Sequence, residues 1–485
     1  MTETPISAAH DSAPGTVDVI VVGGGTGGYS TALRAASLGL TVLLAERDKV
    51  GGTCLHRGCI PSKAMLHAAE LVDGIAEARE RWGVRASVDS VDWAALVASR
   101  DDIVSRNHKG VEGHLAHAGV HVVRGSARLT GTRTVRVEGH GEFTARRGIV
   151  LATGSRPRPL PGLAADGRRV VTSDDALFAP GLPKSVLVLG GGAIGVEYAS
   201  FHRSMGADVT LVEAADRLVP LEDADVSRHL TRGLKKRGID VRTGALLQEA
   251  TVLEDGVRAT VRTARGELRA VGAERLLVAV GRVPVTEGLG LAAAGLTADE
   301  RGFVAPADWD RLETAVPGIH VVGDLLPPPS LGLAHASFAE GLLVAETLAG
   351  LASPPVDYTA VPRVTYSSPQ TASVGLSEAE ARNRGHGVTV NTMPLTAVAK
   401  GMVHGRGGVV KVVAEAADGA GRAGRVLGVH LVGPHVSEMI AESQLIVGWD
   451  AEPSDVARHV HAHPTLSEAV GEAFLTLAGR GLHQQ

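Results

Sequence analysis

The sequence predicts an α/β chain in which one strand–turn–helix–strand unit of parallel-sheet type occurs twice, followed by a C-terminal α+β segment. Three observations predict it. An apolar run, Val17 to Val22, leads into Gly23-Gly24-Gly25-Thr26-Gly27-Gly28. The arrangement recurs where Ser185 to Leu189 leads into Gly190-Gly191-Gly192-Ala193-Ile194-Gly195. Beyond Pro354-Pro355 the chain continues to residue 485 with short apolar strands and amphipathic helices but no third glycine turn of this kind.

Composition bounds the function. At about 150 residues per domain, 485 residues make three or four segments of domain size. Hydrophobic residues are 44 % of the chain, enough for sizeable cores, and 61 glycines suit many tight turns. The net charge is −5, with no long basic run, which argues against nucleic acid as the main partner. Residues 1–16 are polar and broken by Pro5, Pro14 and Gly15, so they are expected to form a flexible tail without a signal-peptide core. No run of about 18 apolar residues is present, so no membrane span is expected. Two cysteines in so long a chain do not make a secreted disulfide framework. The expectation is a soluble, cytoplasmic protein that binds no metal.

After Gly28, a small-residue helix (Ser30 to Leu38) and a strand (Thr41 to Ala45) end at Glu46. An acid about 20 residues beyond a Gly-x-Gly-x-x-Gly turn is the pattern of a Rossmann-like dinucleotide-binding unit. The glycines admit a pyrophosphate to the backbone, the helix N-terminus holds its charge, and Glu46 accepts from a ribose. A plain glycine-rich turn would not need both strands and the acid.

The two cysteines, Cys54 and Cys59, follow at once within Gly51-Gly52-Thr53-Cys54-Leu55-His56-Arg57-Gly58-Cys59-Ile60-Pro61-Ser62-Lys63. A disulfide needs Cα atoms roughly 4.4–6.8 Å apart, whereas five residues of regular helix climb about 7.5 Å. The pair can bridge only across a distorted backbone, for which Pro61 supplies a cause by lacking an N–H for the Arg57 carbonyl. A strained bridge at a helix start is labile, and its thiolates gain from the helix's positive end. A structural bridge closing so short a loop would stabilise little, and zinc would need ligands from elsewhere. Helices near 63–82 and 92–118 and strands around 120–124 and 133–138 are expected next. Ile149 to Ala152 then reads as a strand entering Thr153-Gly154-Ser155.

In the second unit, Val196-Glu197 lie in the helix and a strand, Asp208 to Val212, ends at Glu213. A carboxylate there accepts from the 2′-OH of NAD and repels a 2′-phosphate. Ala214-Ala215-Asp216 add no basic pair, so NAD is expected over NADP. Two such units beside one cysteine pair imply electrons passing from one cofactor through another to sulfur. In the last segment, strands are expected near 361–366, 409–413 and 426–432 and helices near 377–383, 436–448 and 467–478. There His461-Ala462-His463-Pro464-Thr465-Leu466-Ser467-Glu468 stands out. Proline biases His463 to extended structure before a helix, and Glu468 is near enough to fix its tautomer. By spacing alone, a solvated histidine at a helix start is the better reading.

Gly-Gly-Thr-Cys-Leu-x-x-Gly-Cys-Ile-Pro-Ser-Lys closely resembles the redox-active signature of the pyridine nucleotide–disulfide oxidoreductases, and the likeness runs from about residue 17 to the end. His463-Pro464-Thr465-x-Ser467-Glu468 resembles the family's catalytic His–Glu signature, and Thr314 to Asp324 its second flavin motif. The resemblance implies an interchange thiol at Cys54, a flavin-side thiolate at Cys59, a base at His463 oriented by Glu468, and a Lys63–Glu197 pair near the flavin. It implies FAD contacts at Gly23, Gly25, Gly28, Glu46, Lys63, Gly125, Thr153, Gly154, Ser155, Asp324, Leu333, Ala334 and His335. NAD contacts are implied at Gly190, Gly192, Ile194, Gly195, Glu197, Glu213 and Gly281. The implied fold is two Rossmann-like domains and a C-terminal α+β interface domain. Its segments are a tail at 1–16, FAD-binding residues 17–155, NAD-binding residues 156–282, a second FAD-binding part at 283–353 and an interface domain at 354–485.

Within the family, NAD preference, the absence of a terminal Cys pair and the presence of both Cys54 and Cys59 imply oxidation of dihydrolipoyl groups on a carrier protein of a 2-oxo acid dehydrogenase or related complex. The enzyme is expected to be a homodimer. The alternative is an NAD(P)H-dependent reductase of another low-molecular-weight disulfide. His56-Arg57 depart from the family's common Asn-Val on the site's rim and leave the substrate open, and Ala336 replaces a frequent Lys.

Overall fold

Parallel strands buried on both faces read as unbroken apolar runs, and Val19, Ile20 and Val21 are fully buried in the structure, a computed structural model describing residues 15–416 and 422–484. The expected tail, apart from Gly15 and Thr16, lies outside the described residues. The chain divides into two compact units. One comprises the residues up to Cys59, Val104–Arg156 and Val283–Val356; the other comprises Ile60–Ile103, Pro157–Arg282 and the residues from Asp357 on.

In the first unit, β1 (Thr16–Val22) lies between β2 (Val42–Glu46) and the strand Gly141–Leu151, parallel to both, with Ile20 opposite Leu43 and Ile149. His121–Arg124 extends the sheet beyond β2, and Ile319–Val321 pairs in parallel with the second half of Gly141–Leu151. That strand is longer than the sequence pattern marked. Its first half alternates polar residues and pairs antiparallel with Thr134–Val137, so apolar content signals only Ile149 onward. Helix α1 (Thr26–Ser37) follows the first glycine turn and packs against the helix Ala334–Ala349. A Cβ on Gly341 would stand 2.7 Å from the Gly27 carbonyl oxygen, so the close approach requires glycine there.

The second unit repeats the pattern. Ser185–Leu189 lies between Asp208–Val212 and Arg275–Val278, all parallel, with the helix Ala193–Ser204 after the second glycine turn. A three-stranded antiparallel meander, Leu246–Val252, Val257–Arg262 and Leu268–Ala273, was not marked by the sequence pattern, because exposed charged and polar residues dilute its strands. The C-terminal segment is a five-stranded antiparallel sheet covered by the helices Val436–Gly448 and Glu468–Leu477. Two of its strands, Gln370–Gly375 and Val388–Pro394, also escaped the sequence pattern, since buried Thr371, Ser373 and Asn391 interrupt the apolar alternation. Mixed α/β architecture with two nucleotide-type parallel sheets is the fold observed. Among the described residues, no helix is long and apolar enough to cross a membrane.

Candidate functional site

The two glycine turns are built alike. Gly23 and Gly190 each have φ of 104°, a value that glycine adopts without strain. A Cβ on Gly28 would run into the Gly23 carbonyl, and one on Gly195 into that of Gly190. At Gly25 and Gly192 the same atom would meet nothing within 4 Å. These two open positions precede the 12-residue helices α1 and Ala193–Ser204, whose first turns have no side-chain cap. Uncapped amides, an open cradle and the helix dipole are what a pyrophosphate requires, so the residues present fit two dinucleotides.

Each turn is tied to its acid. Glu46 accepts the N–H of Gly24 at 2.7 Å and that of Asp48 at 2.8 Å. Glu213 accepts the N–H of Gly191 and, at 2.6 Å, that of Ala215. Gly125 donates its N–H to the Glu46 carbonyl at 2.9 Å. Gly281, with φ of 107°, accepts at its carbonyl from the Arg158 N–H at 3.0 Å. Ile194 is the second residue of its helix and half-buried.

The remaining residues expected near a flavin gather in the first unit. Thr153 donates its hydroxyl to the Val285 carbonyl at 2.6 Å, Gly154 has φ of 69°, and Ser155 donates its hydroxyl to Asp324. Asp324 sits in the short 3-10 turn Gly323–Leu325, whose leading N–H is held at 2.6 Å by the fully buried Glu340. Leu333 caps the helix that Ala334 and His335 open, and Ala336 is buried in its first turn.

The cysteines lie on two helices, α2 (Gly52–Arg57) and α3 (Cys59–Arg81). Gly58 separates them with φ −140° and ψ −108°, a break of the kind a bridge five residues long needs. Pro61 falls in the first turn of α3, where its missing N–H goes unused. The discontinuity therefore lies at Gly58, before the proline. Cys54 and Cys59 are both half-buried, and Cys59 is the first residue of the 23-residue α3, where the helix dipole favours a thiolate. Gly51 and Gly52, with φ of 101° and 57°, turn the chain into α2 against the first glycine turn. The Gly51 N–H donates to the Gly24 carbonyl at 2.8 Å, and a Cβ on Gly52 would lie 2.7 Å from Gly25 Cα.

Two neighbours of this segment, Tyr29 and His108, carried no sequence signal. Burial first, then the negative charges of Cys54 and Cys59, push the phenol of the α1 residue Tyr29 up. His56 turns back so that Nε2 lies 2.9 Å from the Val50 carbonyl, and burial pushes its pKa down. His108 Nδ1 reaches the same oxygen at 3.2 Å. Arg57 pairs with Asp48 at 2.5 Å, so both departures at His56-Arg57 have local partners.

In the second unit, Lys63 Nζ lies 3.1 and 2.9 Å from the two carboxylate oxygens of the buried Glu197. Tyr366, distant in sequence, donates its N–H to Glu197 at 2.9 Å and puts its ring 4.5 Å below the Lys63 ammonium. His463 Nδ1 lies 2.7 Å from Glu468 Oε1. An ionised carboxylate only accepts, so Nδ1 carries the hydrogen and Nε2 is left as the basic atom. Burial would raise the Glu468 pKa, but the Thr465 amide at 2.8 Å and His463 outweigh it and hold the carboxyl below its ordinary value. His463 is 72 % exposed. No group of three or more potential ligands for a metal is found among the described residues.

Comparison with known proteins supplies the context. Residues 17–341 match the model of the pyridine nucleotide-disulphide oxidoreductases, and residues 361–474 match that family's dimerisation domain. The chain is 40 % identical to a dihydrolipoyl dehydrogenase of Bacillus subtilis over 96 % of its length and 99 % of the relative's. It is 41 % identical to a dihydrolipoyl dehydrogenase of Thermus scotoductus with the same coverage. The fold resembles that of LpdA from Mycobacterium tuberculosis, with a TM-score of 0.84 and 26 % identity over 95 % of this chain and 100 % of that one. It also resembles the HOCl-induced flavoprotein disulfide reductase RclA from Escherichia coli, with a TM-score of 0.81 and 26 % identity over 94 % and 99 %.

Proposed function

The chain belongs to the pyridine nucleotide-disulphide oxidoreductase family, and from that premise we propose that it oxidises protein-bound dihydrolipoyl groups to lipoyl while NAD is reduced to NADH. The observation that carries the proposal is the seating of the cysteine turn on the first nucleotide turn, Gly52 against Gly25. A reactive sulfur pair is thereby fixed beside a cradle fit for FAD. When bound, FAD and NAD supply the acceptors for the electron pair that the sulfur chemistry releases.

The chain's own part is thiol–disulfide exchange. His463, with Nδ1 held by Glu468, takes a proton at Nε2 from a substrate thiol. The resulting substrate thiolate attacks the Cys54 sulfur of the oxidised pair, forming a mixed disulfide and releasing Cys59 as thiolate. The helix end at Cys59 stabilises that charge. His463, exposed to solvent, releases that proton and takes the one on the second substrate thiol, whose sulfur then attacks the substrate sulfur of the mixed disulfide. The lipoyl ring closes, Cys54 leaves as the second thiolate, and two electrons remain on the cysteine pair. Lys63 and Glu197 form a half-buried charge pair four residues into α3 from Cys59, suited to sit near the flavin.

In this reading residues 17–155 and 283–353 hold FAD, 156–282 hold NAD, and 354–485 form the interface of a homodimer whose open His463 serves the other subunit. The breaks at Arg156, Val283 and Val356 support these three boundaries, while Ile60–Ile103 group with the second compact unit. The partner is a lipoyl-carrying protein, and the compartment the cytoplasm. The test is NAD reduction by the FAD-loaded enzyme with dihydrolipoamide, beside low-molecular-weight disulfides with NADH. Faster turnover of another disulfide in the reductive direction would overturn the assignment.

A further inference from the structure

Alternation along extended backbone would put residues 461 and 463 on one side, but the chain bends at His463 and the two histidines of one strap differ in exposure. His463 points out and is 72 % exposed; His461 points in and is 14 % exposed. The inward ring is held from two sides. Nε2 lies 2.7 Å from Glu442 Oε1 on the helix Val436–Gly448. Its opposite edge lies over Gly471 of the helix Glu468–Leu477, where a Cβ would stand 2.7 Å from Cε1. Between the histidines, the Ala462 carbonyl accepts the Thr465 hydroxyl at 2.7 Å, and the Thr465 N–H goes to Glu468. The strap is thus fastened at His461, tied back at Ala462 and aimed at His463. Either side of it is nearly bare: Val460 is 97 % exposed, and no other side chain of 459–463 is as buried as His461.

We propose that His461, clamped by Glu442 and seated over Gly471, is the positioning residue that sets where the His463–Glu468 base points. The inference rests on the proposed dihydrolipoyl reaction, in which His463 is the base. Glu442 acts through its hydrogen bond to His461 and raises the pKa of that imidazole above its ordinary value, against the opposing effect of burial. Glu468 adds its charge from the other helix in the same direction. Without the inward ring, the strap loses its most buried anchor, and His463 keeps its Nδ1 hydrogen bond to Glu468 while Nε2 loses its place.

The test uses the FAD-loaded enzyme and three variants, H461Q, E442A and G471A, with E442Q as the conservative control. Two activities are read: NAD reduction with dihydrolipoamide, and NADH oxidation by ferricyanide, which needs neither the cysteines nor the base. Misplacing a general base by about 1 Å costs on the order of 100-fold, so H461Q and E442A should lose about 10- to 100-fold in kcat with dihydrolipoamide. The KM for NAD and the ferricyanide rate should stay within about twofold. G471A should do the same by displacing the ring, with both histidines intact. E442Q, which still accepts from Nε2, should stay within about threefold of wild type. Unchanged kcat in H461Q and E442A would overturn the proposal. So would a parallel loss of both activities, which means a purely structural role. A wild-type enzyme inactive with dihydrolipoamide would instead reject the reaction on which the proposal rests.

Discussion

The carboxylate of Glu213 holds the backbone N–H of Gly191 with one oxygen and that of Ala215 with the other. Glu46 stands in the same relation to Gly24 and Asp48. Each acid thus closes its glycine turn and presents its remaining lone pairs outward, since a carboxylate offers about four acceptor sites. In the proposed reading, nucleotide recognition and turn geometry share one side chain.

Glu213→Arg should therefore do two things. Replacing an acceptor and a repulsive charge by a phosphate partner moves kcat/KM toward NADP. It also leaves the Gly191 N–H without its acceptor, at a cost of about 1–3 kcal/mol of stability. Glu213→Gln, which keeps an acceptor oxygen, should weaken discrimination against NADP and change Tm little. Unaltered NAD/NADP ratios in both variants would remove Glu213 from the pocket.

Lys63→Met should destabilise more than the double variant Lys63→Met/Glu197→Gln. The single change strands the buried Glu197 carboxylate without its cation, beside the Tyr366 amide, at a cost of about 2–3 kcal/mol. The double change removes the charge with its partner. Thermal unfolding of the four corners of the cycle measures the coupling, and equal Tm values for the single and double variants would refute it.

The cysteines should differ in role. Cys54→Ser should leave a thiolate at Cys59 and, with FAD bound, a long-wavelength absorbance without reductant. Cys59→Ser should abolish that absorbance. The reverse result would exchange the two assignments.

Much of this site was legible because its signals are local. Gly23 to Gly28 with Glu46 and Gly190 to Gly195 with Glu213 lie within one supersecondary unit each, where spacing fixes geometry, whereas His463 with Glu468 was marked by likeness to the family's signature and not by spacing. The chain patterns also marked Ser185–Leu189 and Asp208–Val212 to the residue. What escaped depends on packing. Tyr366 reaches Glu197 from 169 residues away, and Gly52 meets Gly25 only once the sheet has formed. Gly58 breaks the helix where the sequence drew attention to Pro61, because a proline in a first turn costs nothing. Strands with buried polar residues, such as Gln370–Gly375, present no apolar alternation to read.

Acid should weaken the first unit through Asp18. Burial would raise its pKa, but the Arg146 guanidinium at 2.9 Å and the amide and hydroxyl of Thr41 bring it down to about 2 from an ordinary 3.8. The folded value is the lower, so this stabilisation is present above about pH 4 and is lost as pH falls toward 2. It amounts to about 2 kcal/mol for a side chain only 15 % exposed. Asp18→Asn should lower stability near pH 7 and make no difference near pH 2. An equal deficit at both pH values would assign the effect to packing.

The last prediction concerns the dimer. His463 is oriented by Glu468 yet 72 % exposed, on a segment matching the family's dimerisation domain. A base so placed suits delivery to the cysteines of a second copy. Cys59→Ser chains and His463→Ala chains should each be nearly inactive as homodimers. Let them exchange subunits. In each mixed dimer, one site combines the damaged cysteine with the damaged histidine, and the other combines the intact cysteine pair with the intact histidine. At equal random pairing about half the dimers are mixed, so about one site in four is whole, a count that needs only a closed two-fold pair. Dihydrolipoamide oxidation should rise from near zero to about a quarter of wild type. If every chain carried its own cysteines and its own base in one site, no mixture could recover activity. Exchange verified by mass, with no gain in rate, would therefore place His463 and the cysteines it serves in the same subunit.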